Sequence, residues 1–139
     1  MTDVNTPLLQ AYFDALKVLP YPVYEGEEPD DILDQVYIVL SDVNSTDFST
    51  KTNSGTRSNI QVGIYTWENK YNTALTVNGV AAEIFATLKP DSNSVLTLSG
   101  MQMTNLGVLS DRTERIGELA GRKYINRIII FKQDIFIFN

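Results

Sequence analysis

Pairs of carboxylates are the arrangement in this sequence that could in principle perform acid–base chemistry. The chain has 139 residues and contains no His and no Cys. Their absence excludes a Ser-His-Asp triad, thiol catalysis, zinc fingers and iron–sulfur clusters. Asp30 with Asp34, and Asp111 with Glu114, stand at helical spacing. Such pairs are common on surfaces, and nothing places either pair in an apolar pocket that would raise a carboxyl pKa. We therefore expect no enzymatic activity and no catalytic residue.

Three other patterns bear on binding. Residues 25–31 contain five carboxylates, but without the alternation of a calcium-binding EF-hand, which favours a solvated acidic loop. No glycine-rich phosphate-binding motif occurs. Tyr65, Trp67 and Tyr71 could stack on a ligand, although a strand end with its packing partners fits them better. The sequence thus predicts no metal site and no cofactor.

Charge is distributed unevenly along the chain. The formal net charge is −6, from 17 acidic and 11 basic residues, which disfavours a nucleic-acid binder that neutralises phosphates. Residues 1–50 contain ten acids and a single base, Lys17, a balance of −9, whereas residues 51–139 contain seven acids and ten bases, a balance of +3. The asymmetry has two interpretations: chance, or electrostatic complementarity between neighbouring copies in a head-to-tail ring.

Length and hydropathy favour one soluble domain over residues 1–139. No apolar run approaches the roughly 20 residues that span a bilayer. The first residues have neither the basic nor the apolar region of a signal peptide. We expect synthesis in the cytoplasm and no membrane association.

Hydrophobic periodicity predicts two helices and at least four strands. The helices cover residues 7–18 and 71–88, each ended by a proline. The strands cover residues 36–40, 59–67, 95–104 and 124–136, and residues 23–24 are a further short extended piece. The order is α-β-β-α-β-β. Short polar connections favour an α+β fold, with a mainly antiparallel sheet of four to five strands and two helices packed on one face.

Two polar segments and one strand are ambiguous. Residues 41–58 are rich in Ser and Thr and fit either a mobile loop or a long polar hairpin. Residues 110–123 are dense in charge and contain Gly117 and Gly121, which favours a loop or a short helical turn, although residues 107–109 could extend the sheet. The apolar face of the strand 95–104 changes sides near Gly100, where we predict a β-bulge.

Several segments, taken in order, resemble the tail-completion (tail-terminator) proteins of long-tailed bacteriophages. That family has a Val-Tyr step, a loop with proline and a Tyr-Val-Val-Leu-Gly-Asp type strand, which are similar to residues 23–24, Pro29 and residues 37–42 (YIVLSD) here. Its Ser/Thr-rich stretch resembles residues 45–52 (STDFSTKT). A strand ending near Trp, an amphipathic helix, and two strands flanking a charged loop complete the similarity. Ser41 and Phe48 stand where the family usually has Gly and Trp, and the charged segment is longer than expected.

The resemblance implies a structural virion protein whose assembled form is a ring, usually a hexamer. Such a ring caps the last ring of the tail tube, stops its polymerisation and joins the tail to the head-side connector or neck protein. DNA passes through the lumen without specific binding, a task that suits an acidic protein. The implied location is the tail or neck of the virion, after assembly in the host cytoplasm.

Two groups of residues follow as hypothetical interfaces with subunits or partners. The first lies in the Ser/Thr-rich stretch, where Phe48 as an apolar anchor could grip an adjacent subunit or the tube, or could fold back onto its own core; its members are Asp47, Phe48, Lys51 and Thr52. The second lies in the charged segment, a loop that could face the lumen, the connector or the tube, or could simply be solvated; its members are Arg112, Glu114, Arg115 and Glu118.

Two alternatives to the tail-completion ring are open at this point. One is another neck or head–tail joining component of a phage, which would differ in its partner. The other is a small-molecule-binding or enzymatic α+β domain, which would be a monomer or dimer with one deep apolar pocket.

Overall fold

The structure is a computed structural model that describes residues 5–25, 36–47, 54–67, 74–88, 96, 98, 101–119 and 122–137. In these ranges it contains two helices and five strands in the order α1, β1, β2, β3, α2, β4, β5. Their bounds are α1 Asn5–Leu16, β1 Val23–Glu25, β2 Tyr37–Asp47, β3 Ser54–Trp67, α2 Ala74–Leu88, β4 Met101–Leu119 and β5 Arg122–Ile137.

The five strands form one sheet in the order β1-β2-β3-β5-β4. β1 pairs with β2 in parallel, and every other neighbouring pair is antiparallel. The predicted α+β fold with a mainly antiparallel sheet is confirmed. The short piece predicted at residues 23–24 is part of β1, which pairs with β2.

The two helices contact each other and cover one side of the sheet. In α1 the buried residues Leu8, Tyr12 and Leu16 recur every four positions, so they share one stripe. The stripe of α2 packs with them and with the sheet in a single apolar cluster; its members are Val77, Val80, Ala81, Ile84 and Leu88. No helix in the described ranges is long and apolar enough to cross a membrane.

Strand register decides which side chains meet the helices. Ile60 of β3 pairs with Phe131, and Val62 pairs with Ile129; all four are fully buried. Directly opposed residues of a sheet share one face, and successive residues alternate between faces. Residues at the alternate positions of β3, such as Gly63, therefore belong to the opposite face, which no helix of the described ranges covers.

The described parts of the polar stretch, residues 41–47 and 54–58, extend the sheet. β2 and β3 pair as far as Asp47 and Thr56, which confirms the long polar hairpin. On the helix side of this extension the packing is polar. Ser45 donates a hydrogen bond to the Asn5 side chain at 2.9 Å, and Gln133 donates one to the Ser58 carbonyl at 2.7 Å.

The prediction of a loop or helical turn at residues 110–123 is wrong. β4 continues to Leu119, and β5 begins at Arg122. Three register shifts let 19 residues of β4 run beside 16 residues of β5; they lie at Thr104/Gly107, Val108/Ser110 and Arg115/Gly117. Each extra residue of β4 exchanges its inward and outward positions. The sequence of β4 therefore lacks the regular alternation by which a strand is predicted.

Of the predicted strand 95–104, the structure describes residues 96, 98 and 101–104, and β4 covers the last four. Leu98 forms only an isolated bridge with Met101, where β4 starts. The bulge predicted at Gly100 lies outside the described residues. The extension of the sheet through residues 107–109 is confirmed.

Candidate interaction surfaces

A ladder of aromatic rings lies on the sheet face away from the helices. Tyr37 stacks on Tyr65 with ring centroids 5.5 Å apart, and Tyr24 meets Tyr37 edge-on at 5.9 Å. Trp67 and Tyr124, paired across β3 and β5, meet edge-on at 5.7 Å. Both geometries are favourable for aromatic pairs. We call this surface, made of these five residues, the aromatic face.

A glycine allows one of these rings to lie over the sheet. A Cβ atom at Gly63 would stand 2.6 Å from Cε2 of Tyr65, so the ring occupies the space that any other side chain would fill. The cross-strand neighbours of Gly63 are Val39 and Ile128, which are only 6 % and 4 % exposed. Apolar residues on this face are therefore buried without a covering helix in the described ranges.

One buried polar atom in this region has no hydrogen-bond partner among the described residues. Asn126 pairs with Tyr65 across β3 and β5 and is 2 % exposed. Its Oδ1 atom accepts no hydrogen bond from the described residues.

The other end of the same face is polar. Asp134 pairs with Arg57 across β5 and β3; Arg57 Nε donates to Oδ1 at 3.0 Å, and Asn105 Nδ2 donates to Oδ2 at 2.9 Å. Burial alone raises the pKa of Asp134, but the two hydrogen bonds and the charges of Arg57 and Lys132 together outweigh it and lower that pKa. These residues and Gln133 line an open cavity of about 310 Å³.

Backbone geometry brings Asn105 to this cluster. Asn105 has a φ of 56° and lies within the first register shift of β4. This left-handed conformation is one that Asn tolerates better than most residues. The shift therefore lets an amide on β4 reach a carboxylate on β5.

β4 lies at an open edge of the sheet, because β5 is its only strand neighbour among those described. Val108 and Leu109 on this strand are 42 % and 53 % exposed. Leu109 falls in the second register shift, where no residue of β5 is its partner. We call residues 108–113 the β4 edge; all six are exposed.

An arginine on β5 connects the β4 edge to α2. Arg127 donates two hydrogen bonds to the Asp111 carboxylate, at 2.8 and 2.6 Å, and a third to Asn78 Oδ1 of α2 at 2.9 Å. The hydrogen bonds to Asp111 raise the pKa of Arg127 against the opposing effect of burial. Asp111 is thus an ion-pair partner that helps to hold two strands and a helix together.

The structure places Asp47, the one described member of the first predicted group, apart from the second group. Asp47 ends β2 and pairs with Thr56, which in turn pairs with Ile135. Glu118 pairs with Lys123 near the other end of the long strands. Asp47 is therefore separated along the sheet by roughly 40 Å of strand from Glu118 and by roughly 23 Å from Arg112, which pairs with Ile128. Outside the described residues lie Phe48, Lys51, Thr52, Asp30 and Asp34.

The charged group lies in a strand and not in the predicted loop. Its members follow one another along β4 because the register shifts keep this strand paired with β5. Arg112, which is exposed, pairs with Ile128. Glu114 and Arg115 pair with Asn126 and Ile125. Among the described residues no three acidic side chains are grouped so as to hold a metal ion.

The pattern of the sequence does not reveal the aromatic face or the Asp134 cluster. The ring partner of Tyr65 is Tyr37, and Tyr71 lies outside the described residues. The one available signal is the alternation of the strand, which assigns Gly63 and Tyr65 to the face opposite the core. No local pattern links Asn105, Asp134 and Arg57, because three different strands supply them.

The fold is shared with a protein of a virion. One chain of a solved structure described as "Virion of native gene transfer agent (GTA) particle" matches this chain with a TM-score of 0.71. The match covers 96 % of this chain and 99 % of that chain at 20 % sequence identity. At this identity the similarity establishes the fold. No protein-family model and no curated protein matches the sequence.

Proposed function

We propose that this chain is a structural protein of a phage-like virion, with no catalytic task. Its copies form a ring, a hexamer as the sequence resemblance implies, at the head-proximal end of the tail tube. The ring ends polymerisation of the tube and joins the tail to the head-side connector. The chain acts in the virion, after assembly in the host cytoplasm.

The fold match carries the proposal. A chain from a gene transfer agent virion shares the architecture over nearly the full length of both chains, so the similarity extends beyond a common local motif. It agrees with the resemblance to tail-completion proteins, which rests on separate evidence, namely the residues of the segments 23–24, 37–42 and 45–52.

The surface chemistry is consistent with a binding role. The exposed apolar pair Val108 and Leu109 and the half-buried rings of Tyr24, Tyr65 and Tyr124 offer apolar and aromatic surface of the kind found in protein interfaces. In the polar cavity beside Asp134, the lining residues Arg57 and Asn105 already donate hydrogen bonds to the Asp134 carboxylate. A net charge of −6 would let DNA pass through a lumen without being held.

Removing the gene from the virion-producing genome tests the proposed role. Without the cap, tubes should grow beyond their normal length and stay separate from filled heads, and electron microscopy of the lysate measures both. Tubes of normal length beside unjoined heads would instead identify another neck component. Complete, infective particles would contradict any role in tail completion or joining.

The purified chain provides a second test. Native mass spectrometry should show a ring-sized oligomer, alone or on added tail tubes, and a pull-down should recover the tail-tube protein. A monomer that binds neither tubes nor connector, and that turns over a small molecule, would contradict the proposal.

A further inference from the structure

Strand order separates the charges of this chain onto opposite sides of its sheet. β1 and β4 are the two edges among the described strands. In the described ranges α1, β1, β2 and the residues that join α1 to β1 contain four acids against one base, whereas β4 and β5 contain six bases against four acids. The asymmetry along the sequence is thus also an asymmetry in space.

Described side chains reflect this separation. On the β1 side, Glu25 ends the edge strand and is exposed, whereas the exposed Asp14 of α1 is paired with Lys17 at 3.3 Å. On the β4 side, Arg112 and Lys123 are exposed. Two like edges brought together would oppose charges of the same sign, whereas unlike edges would attract.

The β4 side also carries an apolar contact element. Val108 and Leu109 are adjacent and exposed on an edge strand, a place where proteins usually avoid apolar residues or cover them. The other large apolar residues that are strongly exposed in the described ranges are Val18 and Leu75, which lie outside the strands.

We propose that the β4 edge of one copy docks against the β1 edge of the next copy, head to tail. The contact joins two different surfaces of the same chain, so its repetition closes a ring or extends as a helix and does not stop at a dimer. The occupant of the β4 edge is a second copy of this chain. The inference rests on the proposed function in requiring that copies assemble.

Two matched substitutions test the apolar part of the contact. Leu109→Ser and Leu75→Ser remove the same side chain from exposed positions, one on the β4 edge and one on α2. Loss of apolar area that docking buries should raise the concentration at half-assembly roughly fivefold or more for Leu109→Ser. Leu75→Ser should leave it unchanged. Sedimentation velocity over a concentration series measures this midpoint, and equal behaviour of the two variants would overturn the proposal.

Reversing one charge at each edge tests the electrostatic part. Arg112→Glu and Glu25→Lys should each weaken assembly at about 0.1 M salt, and the penalty should shrink at about 1 M, where screening is stronger. Double substitutions of Ala82 and Ala86 to Glu, or of both to Lys, make the same changes in net charge at exposed positions of α2. These control variants should assemble like the wild type.

Mixing the two reversed chains gives the sharpest result. In an alternating ring of Arg112→Glu and Glu25→Lys chains, a contact between two reversed edges again joins opposite charges, and the next contact joins two wild-type edges. Each variant alone should assemble poorly. An equimolar mixture of the two should restore assembly, in rings with an even number of subunits. Failure of the mixture to exceed either variant would overturn the proposal.

The proposed function and the proposed contact fail in different ways. A wild-type chain that stays monomeric at every concentration, with or without tail tubes, contradicts the ring and the contact together. Rings whose assembly is insensitive to Leu109, Arg112 and Glu25 contradict the contact alone and leave the ring intact.

Discussion

The two faces of the sheet are buried by different means. On one face the aliphatic residues of β3 and β5 pack under two helices, and Ile60, Val62 and Ile129 have no exposed surface. On the other face Val39 and Ile128 are almost as well buried, although the layer described over that face consists of aromatic side chains. The first face depends on other secondary-structure elements, and the second depends on single side chains.

This difference indicates where the chain tolerates change. Under the helices each core side chain is packed tightly against several neighbours. Loss of one large side chain there leaves a cavity, because those neighbours can move only slightly to fill it. A layer of rings rests on a few close fits, such as the contact between Gly63 and Tyr65. Substitutions on the two faces should therefore differ in how much they lower the free energy of unfolding, and in whether a second substitution can remove that loss.

The largest effect is expected on the helix-covered face. Phe131 contacts the rings of Tyr12 and Phe85, with centroids 6.0 and 5.9 Å away. Phe131→Ala should lower the free energy of unfolding by about 3–5 kcal/mol, measured by urea denaturation. Leu75→Ala, at an exposed position of α2, is the surface control. A loss under about 1 kcal/mol for Phe131→Ala would contradict the assignment of this ring to a rigid core.

A smaller effect is expected on the aromatic face. Gly63→Ala places a methyl group against Tyr65 and should lower the free energy of unfolding by about 2 kcal/mol, as overpacking does. The loss should disappear in a Tyr65→Ala background, because the clashing ring is gone. Denaturation of the four chains forms a double-mutant cycle, and a loss that persists without Tyr65 would show that the ring does not cause it.

A polar link between α1 and the sheet should contribute somewhat less. Tyr12 donates its hydroxyl hydrogen to Gln133 Oε1 inside the core, and burial raises the pKa of Tyr12. Tyr12→Phe leaves that acceptor without its donor and should lower the free energy of unfolding by about 1.5 kcal/mol. Tyr24→Phe, on the aromatic face, is the control and should change it by about 0.5 kcal/mol or less. Equal losses in urea denaturation would contradict the role of the Tyr12 hydroxyl.

The smallest effect is expected at Asp134, and it depends on pH. The folded pKa of this carboxyl is lowered below the unfolded value of about 3.9. Its contribution is thus complete above about pH 5 and is lost as the pH falls from about 4 through the folded pKa.

The size of this contribution is limited by solvent. Because the Arg57 side chain is 61 % exposed, water screens the pair, and Asp134→Asn should lower the free energy of unfolding by only about 1 kcal/mol at pH 7. Denaturation at neutral pH and again at about pH 2.5 should show the difference from the wild type shrinking. A difference that stays constant would contradict the ionised state as its source.

Much of the helix-covered face could be predicted from the sequence. The period of the apolar residues in α1 and α2 is helical, and the alternation of Ile60, Val62 and Ile64 indicates a half-buried strand. These signals are local, and the tertiary structure agrees with them. The polar hairpin is one of two options for residues 41–58, because Thr and Ser fit both a strand and a loop.

β4 could not be predicted in the same way. Its charged residues and two glycines disfavour a strand locally, yet pairing with β5 overrides these preferences. The Asp134 cluster depends on Asn105 and Arg57, which are distant in sequence, so it follows only from the strand order. The same limit applies to the candidate interface residues. The sequence indicates that Arg112 is at the surface, but it does not indicate that Arg112 belongs to a strand.

The three register shifts of β4 have a consequence for the protein at high concentration. A straight edge strand of 19 residues would be a template for fibrous stacking of sheets. The shifts break that template into short pieces. The longest, residues 110–115 (SDRTER), contains four charged residues, which disfavour stacking of identical segments. The interrupted edge should therefore lower the tendency of concentrated copies to join into amyloid.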